Sequence, residues 1–317
     1  ISNRYIEKIK FTNDFSYASS YFRCKPLYMV VILTITSFAI FNKTKYFYKL
    51  PDDVFGAVLV TSESDGNSRY TWDRIKQLEK KIEFKNVKYK VLTIGDSQSG
   101  DFINTLLEVG LSHNVDVISR IVSARCEVFS LEKNSLYESF KVNNNIINGD
   151  IPKERCEEEI LKINNDSIVE QANVIIITMF WKDKNISYIM ESIGNIRNRN
   201  KNAIIYVVGG KSFNKPIPQI IYESYYKGIQ LETFAFNELA NNKEVNSNYQ
   251  NEAFTRNQNN LNFNYINMVG IICNEGECFI LNGKNQPLFY DNVHLTRVGA
   301  KYIGLTIKRR NFFPSDF

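Results

Sequence analysis

Along most of the chain, short apolar runs alternate with stretches whose apolar positions recur every three or four residues. Residues 88–94 (KYKVLTI), 115–122, 174–178 (VIIIT), 203–208 (AIIYVV) and 265–271 read as strands. Two of these, 174–178 and 203–208, are continuously apolar, as a strand covered on both faces requires. Between them, residues 101–109, 153–163, 186–196 and 217–225 read as helices, and 297–308 as a closing helix. Strand and helix in alternation predict an α/β fold, a three-layer sandwich whose central parallel sheet carries helices on both faces. There is no internal repeat, GxGxxG turn or phosphate-binding loop of the Walker kind.

The N-terminal part follows another pattern. From Pro26 to Asn42 no residue is charged, and apolar positions fall on every face. A helix of that length would be about 25 Å long, with Lys25 and Lys43 placed to snorkel at its ends. The segment is read as one transmembrane helix over 25–43, the alternative being a buried core helix. Basic residues flank it on both sides, so charge barely chooses its orientation. Residues 44–85 read as a connector containing a short helix over 72–83, and the Asn-rich 237–264 as a solvated helix end and loop. The expected organisation is a tail of another domain over 1–24, the span over 25–43, the connector over 44–85 and a catalytic-type domain over 86–317. A first residue of Ile rather than Met adds the expectation of a longer parent chain.

Composition narrows the chemistry. With 44% hydrophobic and 13% aromatic residues the chain can bury a sizeable core. Its net charge is only +5, with lysines scattered rather than striped, which does not suit a nucleic-acid binder. There are two histidines, His113 and His294, so a multi-histidine metal centre is not expected, and any histidine base is one of these. Cys24 lies beside the apolar run; Cys126, Cys156, Cys273 and Cys278 are left, an even number compatible with two disulfides. Cys273 and Cys278 bracket a short Asn-Glu-Gly-Glu turn and suit a local bridge, leaving Cys126 with Cys156; buried free thiols are the alternative.

Gly95-Asp96-Ser97 directly follows the first sheet strand and precedes a helix. In α/β sheets the crevice at strand C-termini is where ligands bind, and a serine there can offer its hydroxyl as nucleophile and its N–H to an oxyanion. The plain reading is a capped helix start, with Asp96 as a turn carboxylate. Asp291-Asn-Val-His294 lies just before the closing helix. A carboxylate three positions before a histidine can bond one ring nitrogen and leave the other to take a serine proton. Here the plain reading is a surface histidine followed by a helix cap at Thr296.

Taken together, the early Gly-Asp-Ser and the late Asp-x-x-His resemble the SGNH (GDSL-type) hydrolase superfamily. More narrowly, the chain resembles the SGNH domain fused behind the membrane domain of acyltransferase-3-type O-acetyltransferases, such as O-antigen acetylases. Ile1-Ser-Asn-Arg-Tyr-Ile-Glu-Lys-Ile-Lys10 is similar to the tail of such a membrane domain, with Ile9 where proline is usual. Val174 to Trp181, Val207 to Pro218, the Cys273 to Cys278 turn and the block from Leu288 to Ala300 extend the likeness, the last being its most specific piece. The resemblance implies Ser97 as nucleophile, His294 as base and Asp291 as its orienter. Where broad SGNH members carry an oxyanion-binding Asn this chain has Met179-Phe180-Trp181, and Ser123-Ala-Arg-Cys126 stands where a Gly donor is expected. The Ser97 N–H is then the one oxyanion donor the sequence supports. Gln98 replaces a histidine frequent after the Gly-Asp-Ser. Trp181 is a candidate floor for a sugar, with core packing as its alternative; Trp72 reads as packing and His113 as a loop residue.

The implied function is transfer of an acetyl group to a hydroxyl of a cell-envelope polysaccharide of the lipopolysaccharide O-antigen kind. The implied partner is an N-terminal membrane acyltransferase domain that takes acetyl-CoA as donor; no cofactor is expected on this part. The implied location is the bacterial inner membrane, with the SGNH domain in the periplasm or outside the cell. The alternatives are a carbohydrate O-acetyl esterase, with water as acceptor, and a non-catalytic glycan-positioning module.

Overall fold

The structure, a computed structural model, describes residues 25–48, 51–52, 56, 68–242 and 247–317. The expected tail over 1–24 and most of the connector up to residue 67 lie outside the described residues. Two compact units are distinguished, Ile1–Pro51 and Asp52–Phe317.

The first unit contains helix α1 (Lys25–Tyr48), over the segment read as a span. Its described side chains, Tyr28 to Ile40, are all exposed, and the hydroxyls of Thr34 and Thr36 donate to the Val30 and Ile32 carbonyls one turn back. The helix is therefore not a buried core element. The transmembrane expectation is not met either: among the described residues no helix is long and apolar enough to cross a membrane.

The second unit begins with α2 (Ser68–Glu79), followed by β1 (Tyr89–Gly95), α3 (Ser97–Glu108) and β2 (Val115–Ile121). Next come α4 (Lys133–Val142), α5 (Lys153–Asn164), β3 (Val174–Thr178), α6 (Ile186–Arg199) and β4 (Ile204–Val208). The chain continues through α7 (Ile217–Lys227), α8 (Leu231–Ala240), α9 (Ser247–Leu261) and β5 (Asn264–Ile266). A two-residue hairpin pair, β6 (Cys273–Asn274) with β7 (Glu277–Cys278), precedes α10 (Arg297–Arg309). The main sheet has the order β2-β1-β3-β4-β5 with every pairing parallel.

The period of two along each strand sorts the side chains into two cores. Val91, Val117, Val174, Ile176, Tyr206 and Val208 face one layer, where Phe102 and Leu106 of α3, Ile220 of α7 and Ile303 of α10 close over them. Leu92, Ile94, Ile118, Ile175, Ile177 and Val207 face the other, covered by Phe140 of α4, Ile160 of α5, Ile193 of α6 and Phe254 of α9. This is the three-layer α/β sandwich expected.

Three expectations need correction. Residues 68–79 are not a connector: α2 packs on the domain, its Ile75 is fully buried, and the Thr71 carbonyl approaches Gly100 so closely that a Cβ there would lie 2.4 Å from it. The domain therefore starts well before residue 86. The last strand is only Asn264–Ile266, because Val269–Ile272 coils into a helical turn that leads into the disulfide hairpin. The Asn-rich stretch is largely helix, because the fully buried Phe254 seats α9 against Trp181 at 5.3 Å between ring centroids and Leu261 packs on the same core. Both disulfides form, Cys126–Cys156 and Cys273–Cys278, so the free-thiol alternative falls.

Candidate active site

β1 is the central-side neighbour of both β2 and β3, so its C-terminal end opens in the middle of the sheet edge. Gly95 ends it at a φ of 153°, and a Cβ there would lie 1.8 Å from the Thr178 carbonyl oxygen of β3. Only glycine fits that close approach. Asp96 then caps α3: one carboxylate oxygen accepts from the Gln98 N–H (2.8 Å), the other from the Phe180 N–H beyond β3 (2.8 Å). The cap thus fastens the start of α3 to the end of the neighbouring strand. Its carboxyl is buried, which pushes it up to about 6 even against these two N–H bonds. From Val91 to Gly100 every residue is buried except Ser97, whose hydroxyl is left at the surface.

The loop before α10 supplies the base. Phe289 bridges Leu295, and the Tyr290 N–H donates to the His294 carbonyl (3.0 Å), closing a tight loop around Asp291 and His294. His294 Nε2 lies 2.8 Å from Ser97 Oγ, and its Nδ1 lies 2.7 Å from Asp291 Oδ2. A carboxylate can only accept, so Nδ1 carries the proton and Nε2 is free to accept from the serine. Asp291 Oδ1 accepts from the N–H groups of Val293 (2.8 Å) and His294 (2.7 Å). Burial pushes the Asp291 carboxyl up, but its bonds to His294 and Val293 outweigh this and hold it below the ordinary carboxylate range. Burial likewise disfavours the imidazolium of His294, and the Asp291 hydrogen bond together with the charges of Asp101 and Asp291 more than reverses it, raising the group. The structure therefore brings together Ser97, His294 and Asp291, residues 194 to 197 positions apart for the serine and its partners.

Behind them lies a buried network that the sequence did not reveal. Asp101, one turn beyond Ser97 on α3, accepts from Lys211 Nζ (2.9 Å) and the Leu295 N–H (3.0 Å) on one oxygen, and from the Thr71 hydroxyl (3.1 Å) on the other. Lys211 also donates to Gln98 Oε1 (2.7 Å) and to the Val293 carbonyl (2.9 Å). Both peptide neighbours of His294 are thus tied to one ion pair whose side chains are only 4% and 1% exposed. Tyr290 stacks on the His294 ring at 5.4 Å between centroids, and its hydroxyl lies 3.1 Å from that of Thr71. The one sequence signal for these residues is spacing, Asp101 falling at i+4 from Ser97 on the same helix face. Lys211 follows Gly209-Gly210 after a buried strand, a place that gave no sign of its ion pair.

Trp181 is not a sugar floor. It is 1% exposed, packs against Phe129 and Phe254, and donates from Nε1 to the Val208 carbonyl (2.8 Å). An aromatic at the end of a strand faces the layer its period dictates, and here that layer is the core. His113 is exposed in its loop, as expected, and Thr296 caps α10 through the Gly299 N–H (3.0 Å). Of the N–H groups near the expected oxyanion donors, that of Phe180 is taken by Asp96 and that of Ser123 by Glu159 (2.7 Å). The Ser97 N–H stands in the first turn of α3, where no intrahelical acceptor exists.

Ser97 opens onto a cavity of about 1000 Å³ walled by α2, the loop after β2 and the start of α5. Among the described residues no cluster of His, Cys, Asp and Glu is arranged to hold a metal ion.

Comparison with known proteins bears on the family and the fold. Residues 69–309 match the family model of the SGNH domain fused to AT3 domains. No curated protein sequence matches the chain. Among solved structures, it is similar to the periplasmic domain of a lipopolysaccharide acetyltransferase from Salmonella ser. Paratyphi A, at 18% identity and a TM-score of 0.51, over 85% of this chain and 97% of that one. A carbohydrate acetylesterase from Sinorhizobium meliloti is matched at 13% identity and a TM-score of 0.34, over 71% of this chain and all of the other.

Proposed function

Because the chain belongs to the family of SGNH domains fused to AT3 domains, we propose that it transfers an acetyl group to a hydroxyl of a cell-envelope polysaccharide through Ser97, His294 and Asp291. The observation that carries this reading is the continuous chain of hydrogen bonds, 2.7 Å from Asp291 to His294 and 2.8 Å from His294 to Ser97, ending at the wall of a large open cavity.

In the first half-reaction Ser97 Oγ attacks the carbonyl carbon of the acyl donor while its proton passes to His294 Nε2. Asp291 stabilises the imidazolium so formed. The negative charge on the carbonyl oxygen faces the Ser97 N–H. Collapse breaks the bond to the leaving group, which departs with the proton held by His294. In the second half-reaction an acceptor hydroxyl gives its proton to His294 and attacks the acyl-serine, and collapse returns the proton to Ser97. The acyl group is supplied by an N-terminal AT3 membrane domain drawing on acetyl-CoA, and the acceptor class follows the lipopolysaccharide acetyltransferase it resembles in fold. Two disulfides support a place outside the cytoplasm, in the periplasm of a bacterium.

The same atoms with water as acceptor make a carbohydrate esterase, and the half-buried position of Ser97 on an open cavity is what favours that reading. The test is turnover of p-nitrophenyl acetate followed by intact mass. The wild-type protein is expected to release nitrophenol and carry an acetyl adduct, and Ser97→Ala and His294→Ala to lose about 10²-fold or more of the rate together with the adduct. Turnover that survives in Ser97→Ala sinks the mechanism; de-O-acetylated polysaccharide that fails to accept the label from acetylated protein assigns the site to hydrolysis.

A further inference from the structure

The cavity in front of Ser97 has a composition that selects among ligands. Five basic residues line it, and five acidic ones of which Asp96 is buried in its cap and the other four face the cleft. Several are already matched, Arg155 to Glu159 at 3.0 Å and Lys162 to Glu79 at 3.4 Å. A site for the phosphates of a coenzyme, or for the carboxylates of an acidic polymer, needs a marked excess of positive charge, and on this wall the excess is a single cation. Interspersed carboxylates, guanidinium groups and ammonium groups are what a polyhydroxylated neutral chain requires, since each hydroxyl both donates and accepts.

One aromatic ring completes the wall. Trp72, on α2, is half-buried and lines the same cavity as Ser97, with Lys76 Nζ 5.5 Å from its ring centroid. An indole held at the edge of a polar cleft offers an apolar face to the C–H side of a sugar while the rim takes its hydroxyls. Cavity volume also fits: about 1000 Å³ lies at the upper end of small-ligand sites, enough for several sugar units rather than one acetyl group.

We infer that the acceptor is a neutral segment of glycan that lies in the cleft between α2 and α5, stacked on Trp72, with one hydroxyl directed at Ser97. This rests on the acyl-transfer reading for its biological meaning, but it is a binding statement that can be tested separately. Helix α2, outside the predicted domain boundary, thus becomes half of the acceptor site. The opposite wall is held by Cys126–Cys156, which joins the loop carrying Ser123 and Arg125 to the helix carrying Arg155 and Glu158. Trp181, first taken as the sugar aromatic, yields that role to Trp72.

The protein has two tryptophans; Trp181 is buried and Trp72 lines the cleft, so a ligand-dependent change in intrinsic fluorescence is assigned to Trp72. The full chain in detergent is titrated with envelope polysaccharide from its cell of origin, stripped of O-acetyl groups by mild base. A saturable change is expected in wild type and in Trp181→Phe, and none in Trp72→Phe. Calorimetry with the same polysaccharide is expected to show binding weakened tenfold or more in Trp72→Ala, largely restored in Trp72→Phe. Polygalacturonate and coenzyme A are expected to leave the fluorescence unchanged. No response in wild type, a response that persists in Trp72→Phe, or equal binding of polygalacturonate overturns the inference. Ser97-dependent ester turnover without polysaccharide binding breaks this inference and spares the proposed function. Binding without Ser97-dependent turnover does the reverse.

Discussion

The two sides of Ser97 handle charge in opposite ways. Behind it, Asp96, Asp101 and Lys211 are buried, and the structure ties each to named partners: a cap, an ion pair, or a backbone group of the His294 loop. In front of it, the cleft carries more charges, and apart from Asp96 they stand on side chains that reach water, such as Arg155 at 64% exposure. The rear side has the means to fix geometry, because an ion pair removed from solvent strongly penalises any arrangement that separates its partners. The front side can adapt to a ligand, because its pairs are screened and individually weak. The proposed transfer asks for both, a rigid base and nucleophile set against an adjustable acceptor surface.

Lys211→Met tests the contrast most severely. It leaves the buried Asp101 without its cation, and a loss of about 3–5 kcal/mol of stability is expected, read as a lowered midpoint in denaturant. A loss below about 1 kcal/mol would mean that the rear pair behaves like a surface pair. Removing the Cys126–Cys156 bridge by paired Ser substitutions comes next. It closes a loop with a sequence separation of 30, and a cost of about 3 kcal/mol in the same assay is expected. The Cys273–Cys278 bridge, with a separation of 5, is expected to cost less when removed.

A pH profile sharpens the rear side further. In the proposed mechanism His294 acts as a base only when neutral, and it is held above its ordinary value of 6.5. Ester turnover is therefore expected to fall as pH drops through a limb lying above 6.5. In Asp291→Asn the carboxylate that favours the imidazolium is gone, so the limb should move to lower pH while the rate falls; an unmoved limb would mean that the observed ionisation is not that of His294. The smallest effect belongs to the front: Arg155→Ala is expected to change stability by no more than about 0.5 kcal/mol, and a larger loss would show that the cleft wall is structural.

What the sequence disclosed follows the same division. The sheet was legible because buried parallel strands such as Val174–Thr178 must be continuously apolar. Gly95-Asp96-Ser97 and Asp291 to His294 were legible because a turn, a cap and a tautomer-fixing carboxylate each need particular residues at fixed short spacing. Lys211 with Asp101, and Tyr290 with Thr71, were not legible, since their meaning lies in pairings across 110 and 219 positions. That Trp181 is core and Trp72 lines the cleft was not legible for a related reason. Each is an aromatic near a polar loop, and only the direction of its strand or helix face decides which one meets solvent. Helix α9 was not legible because its apolar anchors, Phe254 and Leu261, are too few to leave a period in an otherwise polar stretch.

The distance along the chain between Ser97 and His294 also sets an order in time. The two meet across 197 positions, and the loop that carries the histidine is seated by α10, whose Gly304 lies so close to α3 that a Cβ would come within 2.2 Å of the Thr105 carbonyl. A chain emerging from its N-terminal end exposes the serine long before the histidine has been made. Until α10 is in place Ser97 has no His294 beside it, so the proposed nucleophile cannot be complete before the C-terminal end of the chain has been made and seated.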